Sequence, residues 1–169
     1  YKNFWPASLH VIGKDILRFH AIYWPAFLLA ADIPPPKRVF GHGWILSGDE
    51  KMSKSKGNIL NPIEIIDNYG IDELRYYLMK QVSHGSDGSI SLKSLENCIN
   101  SDLANNYGNL CQRVFSFINN NCNNKIKKTK KISDSDEKLL NQTKIITNDL
   151  RDEMDNQNLN KYIKSVIDI

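Results

Sequence analysis

The sequence predicts an α/β region followed by an all-α region, and two patterns of apolar residues carry this prediction. A short apolar run at Leu9 to Ile12, a helical pattern from Ile16 and a second short run at Arg38 to His42 follow one another. A strand, crossover helix, strand order is typical of a parallel sheet, in which ligands bind at the carboxyl ends of the strands. From Leu92 onwards, apolar residues recur every three or four positions, as in amphipathic helices that pack into a bundle.

Composition excludes several classes of protein. The 169 residues, 41% hydrophobic and 24% charged, suffice for one domain or two small ones with a buried core. No apolar run reaches the ~18 residues of a membrane-spanning helix, so we expect a soluble, cytoplasmic protein. The net charge of +3 is too small to attract nucleic acid by bulk charge alone. The three cysteines form no C-x-x-C pair, so we assign no disulfide framework and no metal ligands.

Local signals set the expected elements. Pro25 predicts a kink or restart near Trp24 in the first helix. Glycines, serines and charged residues predict that Gly43 to Asn58 is a mobile surface loop. Further elements are expected as follows: a helix from the cap Asn61 to Gly70, a helix from Glu73 to Val82 capped by Asp72, a loop from Ser83 to Ser89, and helices beginning at Leu92, near Leu139 and at Leu159.

The strongest chemical signal is the string Lys51-Met52-Ser53-Lys54-Ser55 on the predicted loop. Two lysines three positions apart, with hydroxyl and backbone N–H donors between them, can cover a triphosphate. Such donors stabilise charge that develops during phosphate chemistry. Judged by composition alone, a solvated lysine and serine loop is the favoured alternative, because such residues are usually exposed. The five fixed positions reverse that preference.

With this string, the chain resembles the class I aminoacyl-tRNA synthetases, and the methionyl-tRNA synthetases in particular. The resemblance covers most of the chain. It rests on the block from His10 to His20, on Trp24-Pro25-Ala26, on His42-Gly43-Trp44, and on Asn109-Leu110-Cys111-Gln112-Arg113, which is similar to the N-x-x-x-R element of the family's anticodon-binding helix.

This resemblance implies a fold and an activity. Residues 1–92 would be the carboxyl-terminal part of a Rossmann-type catalytic domain, including the loop and the helices after it. Residues 93–169 would begin an incomplete anticodon-binding helical bundle. The activity would be ATP-dependent ligation of L-methionine to tRNA(Met) through methionyl-adenylate, with Mg²⁺ sharing the phosphate charge. Zinc content and oligomeric state do not follow from the sequence, and any zinc site would lie upstream.

The resemblance also implies a role for each matching residue. Lys51 and Lys54 would be catalytic. ATP would be bound by Gly13, Lys14, Asp15, His42, Ile45, Lys51, Met52, Ser53, Lys54 and Ser55. Ile16 and His20 would line the methionine pocket, and Asn109 and Arg113 would contact the anticodon. Several of these residues have ordinary alternatives: a helix cap for Asp15, a structural histidine for His20, core packing for Ile45, and surface polarity for Asn109 and Arg113.

Other interpretations remain open from the sequence. The chain could belong to a leucine, isoleucine, valine or cysteine enzyme of the same class, since these share the lysine-serine string. It could also be a non-catalytic tRNA-binding module. The run from Lys125 to Lys131 could contact tRNA backbone, although an A/T-rich coding sequence explains it more simply.

We expect the 169-residue chain by itself to be inactive. The chain starts without methionine and ends within a helical pattern, so it is interpreted as a piece of a longer protein in which half of the site lies upstream. Methionine-dependent ATP–pyrophosphate exchange by the isolated chain is the measurement, and a measurable rate would contradict this expectation.

Overall fold

The computed structural model describes residues 2–48, 50–52, 60–126, 128 and 131–169, with the backbone alone for Glu50 and Lys51. The chain forms two compact units, which we describe separately. The first comprises Tyr1–Leu60 and Val82–Ile90, and the second comprises Asn61–Gln81 and Ser91–Ile169. The domain boundary expected between residues 92 and 93 stays a prediction. Within the described residues, no helix has the length and apolar character needed to span a membrane.

The first unit contains the predicted strand, helix, strand order. Strands β1 (His10–Gly13) and β2 (Val39–His42) are parallel, which confirms the expectation. Between them lie a 3-10 turn (Lys14–Ile16), a π-helical segment (Phe19–Tyr23) and α1 (Trp24–Ala30). Pro25 lies in the first turn of α1, so regular helix begins where the proline predicted a restart, because this position needs no backbone donor.

A second small sheet corrects two sequence predictions. Strands β3 (Ile45–Ser47), β4 (Glu50–Lys51) and β5 (Gly88–Ile90) are ordered β4-β3-β5. The expected loops over 43–58 and 83–89 were therefore wrong where these strands lie. Ser47 pairs with Glu50, which leaves a two-residue hairpin turn, and Gly48 has the positive φ of 64° that such turns require. Strands of two or three residues are too short to produce an alternating pattern.

The second unit is helical. It contains α2 (Pro62–Tyr69), α3 (Ile71–Gln81), α4 (Leu92–Cys98), α5 (Asn109–Cys122), α6 (Asp134–Asp155) and α7 (Leu159–Ile167). Between α4 and α5 lies a π-helical segment (Ile99–Gly108), which we call the wide segment. Helix α7 packs against α3, α6 and the wide segment. The buried apolar side chains of this unit include Ile65, Leu74, Tyr77, Leu95, Cys98 and Leu150.

Capping residues set the helix ends largely as predicted. Asn61 Oδ1 accepts a hydrogen bond from Ile63 N at 3.0 Å, and Gly70, with a φ of 104°, ends α2. Helix α3 begins at Ile71, however, so Asp72 lies in its first turn and is not its cap. The reason is that Leu74 N donates directly to Gly70 O, so the helix begins two residues earlier than expected.

The carboxylate of Asp102 connects α3 to the wide segment. It accepts hydrogen bonds from Tyr76 Oη at 2.7 Å, from Ser101 Oγ at 2.8 Å, and from Lys80 Nζ. Burial raises the pKa of the Asp102 carboxyl, but these donors outweigh burial and hold the pKa below its usual value. Burial and the hydrogen bond to Asp102 raise the pKa of the Tyr76 hydroxyl. Asp102 is therefore a charged group within the packing of the helical unit.

The predicted apolar stripe from Leu95 to Phe117 is buried only at its beginning. The side chain of Leu95 is 1% exposed, whereas that of Phe117 is 62% exposed. Of the fourteen α5 residues, all of which the structure describes, none is buried. Periodicity thus predicted the helix correctly but not how far its packing extends.

Candidate functional site

The carboxyl ends of β1 and β2 bring three predicted site residues together. Gly13 pairs with His42 in the parallel register. A methyl group on Gly13 would lie 2.5 Å from Asp15 Oδ1 and 3.9 Å from His42 Cε1, so both side chains border the glycine. His42 Nδ1 donates to Gly43 O at 3.0 Å, which leaves Nε2 for another partner. A carboxylate and an imidazole therefore lie beside the Gly13 backbone at the strand ends.

Lys14, the next residue, is held by a partner that the sequence did not indicate. Lys14 Nζ lies 2.5 Å from Asp87 Oδ1 and 2.6 Å from Oδ2. Asp87 Oδ1 also accepts the backbone N–H of Trp44 at 2.8 Å, and Lys14 Nζ lies 5.7 Å from the centroid of the Trp44 ring. The hydrogen bonds from Lys14 and then from Trp44 lower the pKa of the Asp87 carboxyl. This carboxylate links the end of β1 to the start of β3.

Gly43 is fixed by the close approach of two backbone segments. A methyl group on it would lie 2.2 Å from the carbonyl carbon and oxygen of Ser86 and 2.5 Å from Asp87 N. Main-chain atoms cannot rotate away as side chains do, so the segment containing Asp87 would have to move. The glycine thereby sets the distance between Asp87 and Trp44.

Gly43→Ala should destabilise the chain by about 1–3 kcal/mol, the usual effect of forcing extra atoms into packed structure. The measurement is the urea midpoint of the 169-residue chain, followed by circular dichroism. The matched control is Gly41→Ala, where the added methyl group would lie 3.6 Å from Leu17 Cδ1, an ordinary contact. Equal midpoints for the two variants would contradict the steric argument.

A third ring lies near the end of β2. His84 stacks on Phe40 with ring centroids 5.9 Å apart. Burial lowers the pKa of the His84 imidazole, and repulsion from His42 lowers it further. Both effects favour the neutral imidazole at this strand end.

An apolar cleft of about 690 Å³ lies along β1. Its lining residues are Leu9, His10, Val11, Ile12, Phe19, His20, Tyr23, Trp24 and Phe27. The His10 and His20 rings meet edge to face, with centroids 6.4 Å apart. His20 Nδ1 donates to Ile16 O at 3.0 Å, so Nε2 is the nitrogen left for a ligand. Ile16 contributes this carbonyl and is absent from the cleft lining.

The other predicted site residues are distributed over both units. Ile45 begins β3 and is 42% exposed, Met52 is half-buried, and Lys51 belongs to β4. Ser53, Lys54 and Ser55 lie outside the described residues, as do Lys127 and Lys130 of the lysine run. In the helical unit, Asn109 and Arg113 are exposed four positions apart on α5, and Asn109 Nδ2 donates to Asn105 O at 2.9 Å.

Sequence reasoning missed Asp87 and His84. Both lie in the segment that was expected to be a loop, and their partners are remote in the chain. Lys14 and Asp87, for example, are 73 positions apart. The available signal was an acidic residue followed by a glycine, Asp87-Gly88, and this pair is too common in loops to indicate a site.

Comparison with known proteins decides the family. A family model described as tRNA synthetases class I (M) matches residues 1–115. The chain belongs to this family. This membership agrees with the mixed α/β and helical structure and confirms the resemblance inferred from the lysine-serine string and the block from His10 to His20.

Individual relatives of this class I synthetase chain agree with the family model. It is 47% identical over 163 residues to the methionine–tRNA ligase of Brucella suis, and 46% identical over 167 residues to methionine–tRNA ligase 1 of Bacillus anthracis. These matches cover 96% and 98% of the chain, but 32% and 25% of the relatives. The chain therefore spans about a third or less of the length of the curated relatives it matches.

Solved structures of the family show the same fold. The methionyl-tRNA synthetase of Mycobacterium tuberculosis in complex with methionyl-adenylate matches with a TM-score of 0.92 and 41% identity, covering 98% of this chain and 33% of that one. The apo form of the same enzyme matches with a TM-score of 0.86 and 36% identity, covering 98% and 32%.

Proposed function

We propose that the full-length protein containing this chain ligates L-methionine to tRNA(Met), using ATP, in the cytoplasm. The two relatives named above are methionine–tRNA ligases, and the enzyme of the matching complex binds methionyl-adenylate. In this proposal, residues 1–92 supply the carboxyl-terminal part of the catalytic domain, and residues 93–169 begin the anticodon-binding bundle.

One observation carries the proposal. Strand β1 joins an apolar, aromatic-lined cleft to a polar strand end, because Val11 and Ile12 line the cleft and Gly13 follows directly. An aminoacyl-adenylate has these two parts, an apolar side chain and a nucleotide, joined through one phosphate. The cleft would take the methionine side chain, with the His20 ring as part of its wall. The strand end would take the adenosine and phosphates.

In the first half-reaction, the residues at this strand end would bind the nucleotide. A carboxylate oxygen of methionine attacks the α-phosphorus of ATP, the bond to the β-phosphate oxygen breaks, and pyrophosphate leaves. Asp15 would accept hydrogen bonds from the ribose hydroxyls, and His42 Nε2 would contact the nucleotide. Gly13 and Ile45 would border the adenosine, and Lys14 would meet a phosphate.

The lysine-serine string would stabilise the charge that develops in this step. Lys51 and Lys54 would neutralise the phosphate oxygens of the transition state, while Met52, Ser53 and Ser55 would hold the string over the triphosphate. Mg²⁺ could share this charge when bound to ATP. In the part of the chain that the structure describes, no group of three or more acidic, histidine or cysteine side chains is placed to hold a metal ion, so no step is assigned to one.

The second half-reaction involves tRNA. A terminal ribose hydroxyl attacks the carbonyl carbon of the adenylate, and AMP leaves. Asn109 and Arg113 would contact unstacked anticodon bases from one face of α5, since exposed amide and guanidinium groups suit hydrogen bonding to base edges.

The test is ATP–pyrophosphate exchange by the full-length protein with methionine, leucine, isoleucine, valine and cysteine in turn. Exchange with methionine alone supports the proposal. Exchange with another amino acid indicates a different class I synthetase. No exchange, together with tRNA binding, indicates a non-catalytic RNA-binding module and overturns it.

A further inference from the structure

The Asp87 carboxylate takes part in three hydrogen bonds, two with Lys14 and one with Trp44. Both Asp87 oxygens bind the Lys14 ammonium, and Oδ1 also accepts the Trp44 N–H. An ammonium has three N–H donors, so one remains for a ligand. The Lys14 and Asp87 side chains are 41% and 40% exposed, and a bound anion can therefore reach this donor.

Three elements meet at this carboxylate. Lys14 follows β1, Trp44 precedes β3, and Asp87 precedes β5, which pairs with β3 in parallel. Strand β3 continues into the hairpin that leads to Lys51. A displacement of Asp87 would thus move the lysine at the end of β1 and the entry to the hairpin together.

The pair adds little to the stability of the fold. Ion pairs that are this exposed contribute little to folding, because water already solvates both charges. Phosphate chemistry, in contrast, is sensitive to where a cation is held, since small misplacements of a charge cost rate. Holding the Lys14 ammonium in one position would therefore matter more for phosphate chemistry than for the stability of the fold.

We propose that Asp87 is a positioning residue of the nucleotide site, which holds the Lys14 ammonium towards an ATP phosphate and anchors Trp44 at the start of the hairpin. This inference rests on the proposed function. It adds a residue to which the sequence analysis assigned no role, and it assigns Asp87 no direct contact with substrate.

The experiment compares Asp87→Asn with wild type in the full-length protein by ATP–pyrophosphate exchange, varying ATP and methionine separately. We expect kcat/KM for ATP to fall about 10- to 100-fold, because the ammonium is misplaced. KM for methionine should change less than about twofold, since the cleft is untouched. Asp87→Glu, which keeps the charge one methylene further out, should give an intermediate value.

Two further variants separate positioning from general damage. Lys14→Met combined with Asp87→Asn should be no worse than Lys14→Met alone, because the amide oxygen in Asp87→Asn can still accept the Trp44 N–H and the lost charge acts through Lys14. The matched control is Glu153→Gln, which breaks the ion pair of Glu153 with the exposed Lys161 in the helical unit and should leave the exchange kinetics unchanged.

Each outcome is decisive. An Asp87→Asn enzyme that matches Glu153→Gln, effects that multiply in the double variant, or an equal rise in KM for methionine would overturn the inference alone, given a wild type that exchanges with methionine. A wild type without exchange overturns the proposed function and this inference with it. If circular dichroism shows that Asp87→Asn unfolds at a lower temperature than wild type, Lys14→Gln is used in its place, because it leaves the bond between Asp87 and Trp44 intact. Wild-type ATP kinetics for Lys14→Gln would then overturn the proposal.

Discussion

Lys54→Ala should lower the rate of methionyl-adenylate formation in the full-length protein about 100- to 1,000-fold, the range found when one donor to a developing charge is removed. The reason is that the lysine would meet negative charge that appears on the phosphates only in the transition state. Methionine binds before that charge develops, so its dissociation constant should change far less. Single-turnover formation of adenylate, measured against methionine concentration, gives both quantities.

Lys56→Ala is the matched control for this prediction. It removes the same charge two positions further along but lies outside the five-residue string, so the rate should remain close to that of wild type. Equal losses in the two variants would mean that bulk charge, and not the position of Lys54, matters. Equal losses of rate and of methionine affinity for Lys54→Ala would make it an ordinary binding residue.

Asp102→Ala should destabilise the helical unit by about 3 kcal/mol, the lower end of the range for breaking a buried ion pair. The change removes the acceptor for Tyr76 and Ser101 and leaves the Lys80 ammonium, which is 31% exposed, without its counter-charge. The urea midpoint of the 169-residue chain measures the loss. Asp152→Ala, at an exposed carboxylate on α6, is the control and should stay within about 0.5 kcal/mol of wild type.

The same pair of variants gives a pH dependence with a definite sign. Because the pKa of Asp102 is lower in the folded chain, its contribution is present above the unfolded pKa, which is about 4, and is lost as pH falls through the folded value. The stability difference between wild type and Asp102→Ala should therefore be constant near neutral pH and shrink in acid. A difference that persists unchanged in acid would contradict the assigned role of the carboxylate.

Local sequence signals predicted the elements that local energetics control. Asn61 and Gly70 fix the ends of α2 through contacts with their own neighbours, and the parallel β1 and β2 follow from apolar runs on either side of a helix. The hairpin of β3 and β4 was missed because its two-residue pairing is supported by β5, some forty positions later in the chain. Its residues carry too little pattern of their own.

The candidate site divides in the same way. Gly13, Asp15 and His42 were predicted from the resemblance and the strand ends, and the structure places them next to one another. Asp87 was not found, since its significance comes from Lys14 and Trp44, which only folding brings near. Asp102 is similar: its position in a helical pattern does not reveal that Tyr76 and Lys80 of another helix surround it.

The uninterrupted helical path from Leu92 to Cys122 sets the distance from the start of α4 to Asn109 and Arg113. At the α-helical rise of about 1.5 Å per residue, which the wide segment does not reach, this path places Arg113 no more than roughly 33 Å from the capping residue Ser91. Adding or removing one residue along this path would change the reach and also turn the face that Asn109 and Arg113 present by about 100°. Changes in length between α5 and α6 carry no such penalty, so we expect the chain to tolerate an insertion in that connection better than one between Leu92 and Cys122.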